Sequence, residues 1–378
     1  MSKTQITTVH GNSIPAAGLK VKDDGGKQAR RIRNALGTIT NISRVPIVQK
    51  TKKTLSKVPS TKTTLARKEA VSKESLQCET ESVGLKALAL EKIDYKDVVD
   101  IDAEDMDNPF CCSEYAEEIY RYLKKREEIY QVPENYIQSH KEINVKMRAI
   151  LVDWLISVHE KFKLTQETLF LAISILDRYL AVSHTEKKTN LQLIGVTAMF
   201  LASKIEDIYA PDILDLAYVT DYSCSSDMIK SYEKKMSTQL GFNFGDPLCI
   251  NFLRRNSKAL KATAEQHALA KFFMELMLLD YECCVTFPPS QRAATALYVA
   301  MKITDNSSWN ATLVHYSSYS EASLKPCMIK VASLILKSLS NQTQLESVRR
   351  KYSREKFGRV ATSPCLTSAF ITELPKEK

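Results

Sequence analysis

The stretch NLQLIGVTAMFLASK, residues 190–204, carries no charge between Asn190 and Ser203. A helix that is apolar all round is a buried one. Here Gly195, Ala198 and Ala202 fall at three- and four-residue spacing, which lets neighbouring helices approach closely on that side. The segment reads as the central rod of a helical bundle, and its flanks agree. In NVKMRAILVDWLISVHEKF, residues 144–162, Met147, Leu151, Trp154, Val158 and Phe162 recur at three- and four-residue steps on one helical face. Thr165 can cap the next helix, with Glu167 in its first turn and Leu169, Ile173, Leu176 and Leu180 as its inner stripe. Pro211 and Asp212 begin a short helix. SSDMIKSYEKKMSTQLG, residues 225–241, supplies a fifth, closed by Gly241 at the C′ position.

The plan then repeats. TALYVAMKI, residues 295–303, aligns with TAMFLASKI, residues 197–205, at a constant offset of 98, with Thr, Ala, Ala, Lys and Ile identical. An amphipathic helix is expected before the second copy, from Ala264 to about Cys284, and another after it, from Glu321 to about Leu339. After residue 84 the only glycines are Gly195, Gly241, Gly245 and Gly358, and no segment alternates as a strand would. The fold class is therefore all-α, with two tandem five-helix domains.

The N-terminus differs in kind. Residues 1–73 hold 16 Lys or Arg against 3 Asp or Glu, an excess larger than the whole chain's net charge of +9, so the remainder is acidic on balance. No aromatic residue precedes Tyr95, and Lys, Thr, Ser and Gly dominate. Such a segment cannot bury enough apolar surface to offset chain entropy, which predicts a disordered basic tail. Spread charges without aromatics for stacking speak against a nucleic-acid arm, and neither nucleic acid nor membrane is expected as a partner. There is no run of eighteen apolar residues and no apolar signal-peptide core, so an intracellular, soluble protein is expected. Nine cysteines without C-x-x-C spacing suggest reduced, mostly buried thiols rather than a metal site or a disulfide framework.

Enzyme signatures are missing. No phosphate-binding glycine loop, H-E-x-x-H or G-x-S-x-G occurs, and the six histidines lack ligand spacing. Glu206 and Asp207 are adjacent, but neighbours on a helix diverge by about 100° and do not converge on one reacting atom. No catalytic, cofactor-binding or metal-binding residue is assigned, and the chain is expected to act by binding. Two surfaces are candidates. Met147, Ile150, Leu151 and Trp154 supply more large apolar side chains than one inward stripe needs, although periodicity alone favours core packing for them. His267 and Lys271 lie one turn apart with Arg254 a short helix upstream, an arrangement that can hold a phosphate or form a solvated basic face.

The boundaries read from these patterns are a disordered tail over 1–94, an acidic, solvated linker over 95–112, an N-terminal helix region over 113–143, helical domains over 144–245 and 246–345, and a C-terminal tail over 346–378. Leu85, Leu88, Leu90 and Ile93 have the spacing of a leucine-rich export signal and equally of a short amphipathic helix. Ser113 is the expected N-cap of SEYAEEIYRYLKKREEIY, with Glu117 and Glu118 in its early turns.

MRAILVDWL (147–155) together with LQLIGVTAMFLASKIEDIYAP (191–211) closely resembles the first cyclin box. FLRRNSK (252–258), EQHALAKFFMELMLLDY (265–281) and FPPSQRAA (287–294) resemble the second box of mitotic B-type cyclins. The resemblance spans about 113 to 340. It implies a non-catalytic subunit that binds a cyclin-dependent kinase at the G2/M transition, shifts it to its active conformation and helps choose its substrates, with shuttling between cytoplasm and nucleus. On the family pattern, Lys204 and Glu233 contact the kinase. Met147, Ile150, Leu151, Trp154, Leu191 and Gln192 form a substrate-docking patch. A glutamate often completes that patch one turn after the tryptophan, where this chain has Ser157. Arg254, His267 and Lys271 resemble a pocket that reads phosphorylated substrates or regulators. A basal transcription factor with cyclin-like repeats is the rival, but that family adds a Cys-rich zinc ribbon and residues 1–94 hold only Cys78.

The tail contains RNALGTITN, residues 33–41, which matches the destruction box R-x-x-L-x-x-I-x-N at Arg33, Leu36, Ile39 and Asn41. This implies capture by the anaphase-promoting ubiquitin ligase, with Lys50, Lys52, Lys53 and Lys57 as acceptors. The second R-x-x-L, Arg148 to Leu151, falls inside a helix, where a linear signal is not accessible.

Overall fold

The computed structural model describes residues 97–340 and 343–376, and among them every regular element is helical. Helix α1 (Ser113–Ile129) precedes the first five-helix unit: α2 (Val145–Phe162), α3 (Gln166–Val182), α4 (Leu191–Glu206), α5 (Ile213–Val219) and α6 (Ser226–Gln239). The second unit comprises α7 (Cys249–Leu260), α8 (Ala264–Leu279), a short α9 (Tyr281–Thr286), α10 (Pro289–Thr304), α11 (Ala311–Ser317) and α12 (Glu321–Leu339). Two short helices follow, α13 (Ser347–Tyr352) and α14 (Ala369–Glu373).

Helix α4 is the central rod that its composition predicts. Apart from Gln192 it is buried from Leu191 to Ser203, and it packs against α2, α3 and α6. A Cβ on Gly195 would lie 2.8 Å from Leu151 Cδ1, so the missing side chain is what lets α2 close on α4. Thr165 caps α3 by accepting from the Thr168 amide, Asp212 caps α5 in the same way, and Gly241 takes φ +60° after α6. Helix α10 plays the rod's part in the second unit, against α7, α8 and α12. Its ends, Pro289 and Thr304, stand 98 residues beyond those of α4.

A buried ion pair joins the units. Arg148, on the inner face of α2, binds both Asp177 oxygens at 2.7 and 2.6 Å, and its Nη1 donates to the Leu278 carbonyl of α8 at 3.0 Å. Tyr136 donates to the same carboxylate at 2.7 Å, which completes its satisfaction inside the protein. Arg148 and Leu151 are both wholly buried, so this R-x-x-L copy is sequestered.

Four local expectations are corrected. The helix anticipated from Ala264 to about Cys284 breaks at Asp280, whose backbone is extended and whose side chain accepts from the Cys283 amide. A short acid that bonds its own downstream backbone competes with helix continuation. Ser113 is the first helical residue rather than the cap; Cys112 occupies that position with φ 47°, and the Ser113 hydroxyl donates to the Asp105 carbonyl at 3.2 Å. The acidic linker is docked rather than solvated between Val99 and Asp105: Arg255 grips Asp102 at 2.6 and 2.5 Å, Lys258 reaches it at 2.9 Å, and the Val99 amide bonds Thr312 at 3.1 Å. The Arg255 hydrogen bonds hold the Asp102 carboxyl below its usual range.

Residues 346–376, read as a tail, are folded onto the body. Val348, Tyr352, Val360, Leu366 and Ile371 are buried, and Lys351 is paired with Glu275 of α8 at 2.6 Å in the interior. Helices of five or six residues are too short to show a 3.6-residue period, so the pattern was not there to read.

Candidate functional site

Lys204 sits in the last turn of α4 and Glu233 in α6, and packing of these helices brings them together at 2.6 Å. The ammonium also lies 4.0 Å from the Phe200 ring centroid, a cation over an aromatic face. Both side chains remain open to solvent, 43% and 24% exposed. Each helix is followed or ended by an exposed large apolar residue: Ile205, next to Lys204, is 46% exposed, and Phe242, just past α6, is 71% exposed. Sequence reasoning named Lys204 and Glu233 but not their pairing with each other, and named neither Ile205 nor Phe242. The available signal was an apolar residue directly after a helix-ending Gly241, where Phe242 also takes φ 56°.

The six residues of the expected docking patch divide. Leu151, Trp154 and Leu191 are buried at 0, 4 and 1% exposure, so for these three the core-packing alternative holds. Met147, Ile150 and Gln192 are half-buried and offer the accessible edge. Gln192 Oε1 accepts from the Ser223 hydroxyl at 3.3 Å, which links this edge to the loop after α5. On α5 and that loop, Tyr218 and Tyr222 are exposed and stack edge to face at 6.0 Å, with Lys161 of α2 4.7 Å from the Tyr218 ring.

Arg254, His267 and Lys271 are brought into one electrostatic neighbourhood. Burial lowers the His267 pKa to about 4, with the Lys271 and Arg254 charges acting in the same direction. Burial, and then Arg254, also lower that of Lys271. Glu167, at the start of α3, forms an ion pair with Arg254, so the cluster already holds one carboxylate. The Ser257 hydroxyl is 2.8 Å from His267 Nδ1. Crowded, partly desolvated cations of this kind are relieved by a bound anion.

Asp207, weighed as half of a carboxylate pair, instead accepts from the Thr165 amide at 3.0 Å and from the Thr168 hydroxyl, tying the end of α4 to the start of α3. Among the described cysteines, Cys224, Cys249, Cys283 and Cys327 are buried, whereas Cys111 and Cys112 are exposed, a departure from the expectation of burial. No helix of the described residues is long and apolar enough to cross a membrane, and no group of three or more candidate metal ligands occurs among them. Arg33, Leu36, Ile39 and Asn41, the four tail lysines and the stretch from Leu85 to Ile93 lie outside the described residues.

Comparison with known proteins gives matching families for both units: the cyclin N-terminal domain over residues 118–245 and the cyclin C-terminal domain over 247–366. The G2/mitotic-specific cyclin-B of Hydra viridissima is 48% identical over 270 residues, 71% of this chain and 68% of that protein. The G2/mitotic-specific cyclin-B2 of Rana japonica is 47% identical over 277 residues, 73% of this chain and 70% of its own length. Among solved structures, a viral cyclin from herpesvirus saimiri matches with a TM-score of 0.52 at 22% identity, covering 58% of this chain and 97% of that one, a likeness of fold.

Proposed function

The chain belongs to the cyclin family, among the B-type mitotic cyclins, and from that premise we propose that it engages its kinase through the surface around Lys204 and Glu233. Cyclins are regulatory subunits and not enzymes, and a B-type cyclin regulates a cyclin-dependent kinase at G2/M. The observation that carries the assignment of the surface is a solvent-open ion pair between α4 and α6, two helices whose C-terminal ends carry the exposed apolar side chains of Ile205 and Phe242. Charge and apolar area together suit a partner whose inactive and active forms differ in how they meet this face, and differential binding is what shifts such an equilibrium. The test is kinase binding and activation by Lys204→Glu, Glu233→Lys and the double swap. Retained affinity in all three would move the kinase surface elsewhere.

The finer parts of the reading are proposals of the same kind. Met147, Ile150 and Gln192 form the contact edge of a substrate-docking patch seated on buried Leu151, Trp154 and Leu191. Arg254, His267 and Lys271 receive a phosphorylated partner, for which the phosphate must displace Glu167 from Arg254. Arg33, Leu36, Ile39 and Asn41 act as a destruction box for the anaphase-promoting ubiquitin ligase, and the protein shuttles between cytoplasm and nucleus.

A further inference from the structure

The docking edge has a cationic end that the family pattern does not supply. Ile150, Trp154 and Ser157 succeed one another on one face of α2, with Ser157 two turns beyond Ile150. Helix α13 packs against α2 at that point and delivers Arg350, whose Nη2 donates to Ser157 Oγ at 2.9 Å and approaches Ser347 Oγ at 3.4 Å. Its Nε is buried without a partner, and among the described residues no carboxylate pairs with its guanidinium. Of the nearby acids, Asp153 lies within electrostatic reach of Arg350 but spends its hydrogen bonds on the Ser347 amide and hydroxyl, at 2.9 and 2.8 Å, and Glu160 is paired with Arg354. One turn further along α2, Lys161 lies over Tyr218.

A guanidinium bonded only to hydroxyls is incompletely satisfied, and a carboxylate is its best complement. We propose that the docking edge of this chain selects linear peptides in which an apolar residue is followed or preceded by Asp or Glu, with the apolar side chain on Met147 and Ile150 and the acid on Arg350. This deepens, and rests on, the docking-patch reading. Seven helical residues separate Ile150 from Ser157, about 10 Å along the axis. An extended peptide advances about 3.3 Å per residue, which places the acid about three positions from the apolar anchor. A glutamate in place of Ser157 would set an acid against such a peptide and favour a basic one, so Ser157 and Arg350 act together as specificity-determining residues.

The experiment uses the full chain bound to a cyclin-dependent kinase and three fluorescent peptides that share a Leu-x-Phe core. They carry Asp-Glu, Ser-Gly or Lys-Arg pairs three positions from the core, on either side, and binding is read by anisotropy. The acidic peptide should bind about tenfold more tightly than the basic one at low salt. Arg350→Glu should reverse the order, and Arg350→Lys should largely keep it. Ile150→Ala should weaken all three peptides. Equal binding of the three with loss on Ile150→Ala overturns the charge selection and leaves the docking edge standing. Binding of none, or binding indifferent to Ile150, overturns both readings.

Discussion

Lys204 and Glu233 are each other's partner, 2.6 Å apart across α4 and α6. A single reversal therefore removes an internal contact as well as altering the surface, and its effect on a complex is ambiguous. The double swap, Lys204→Glu with Glu233→Lys, keeps the internal pair and inverts what a partner meets. It should unfold at the wild-type temperature yet bind the kinase at least about tenfold more weakly, the scale expected when desolvated interfacial charges are mismatched. Calorimetry for the first and surface plasmon resonance for the second decide it. Wild-type affinity in the swap would confine the pair's role to the fold.

The folded C-terminus is expected to be part of the stability core. Glu275 accepts from Lys351 at 2.6 Å and from Tyr352 at 2.8 Å, and both Glu275 and Lys351 are almost wholly buried. Lys351→Met should cost about 3–5 kcal/mol in urea unfolding, because it strands a buried carboxylate. Adding Glu275→Leu should recover most of that loss. A single-mutant cost below about 1 kcal/mol would place the pair in a solvated setting instead.

Two histidines predict an acid limb of stability. Burial, chiefly, holds His159 and His267 at about 4, below the ordinary 6.5, so both are neutral in the fold and gain protons on unfolding. Groups depressed in this way stabilise the fold above their unfolded pKa. That contribution is lost as pH falls from about 6.5 to about 4. Chemical unfolding at stepped pH should show the decline, and His267→Gln should flatten part of it. An unchanged slope in that variant would mean that His267 is charged in the native state.

Phosphate binding should show the opposite linkage. A dianion beside His267, Lys271 and Arg254 favours the protonated imidazole, so binding of a phosphoserine peptide should be accompanied by proton uptake near pH 6, measurable as a buffer-dependent calorimetric enthalpy. Glu167→Gln, which frees Arg254, should tighten that binding. Equal affinity for phosphorylated and unphosphorylated peptides would remove the pocket.

The destruction box is tested apart from the folded units. Arg33→Ala with Leu36→Ala should leave kinase activation unchanged and lengthen the protein's lifetime at mitotic exit, since a short linear peptide binds through few anchors. Chase experiments in synchronised cells read this directly. Disappearance on the normal schedule would dismiss RNALGTITN as the signal.

Much of this architecture was legible because long helices leave a periodic trace. The uncharged run before Lys204 and its copy 98 residues on specified two rods, and Gly195 marked the place where Leu151 closes in. What escaped has no period. Asp280 breaks a helix through one side-chain bond, and α13 and α14 are shorter than two turns. Asp102 is charged and looked solvated until Arg255, distant in sequence, was folded against it. The residues of the proposed docking edge were harder still, because Leu151 and Trp154 satisfy core and surface patterns alike; only burial separates them from Met147 and Ile150. Arg350 and Ser157 could not be linked by spacing at all, since they stand 193 positions apart in the sequence.

The central claim is that this chain works by switching a kinase. The most direct measurement is phosphate transfer to a histone peptide by a purified monomeric cyclin-dependent kinase, titrated with the full chain. The chain alone should transfer none, and activity should climb and saturate at an equimolar ratio, with the Lys204 and Glu233 swap requiring far more protein to reach the same level. A kinase whose activity stays flat through the titration, with the chain folded by circular dichroism, would contradict the account.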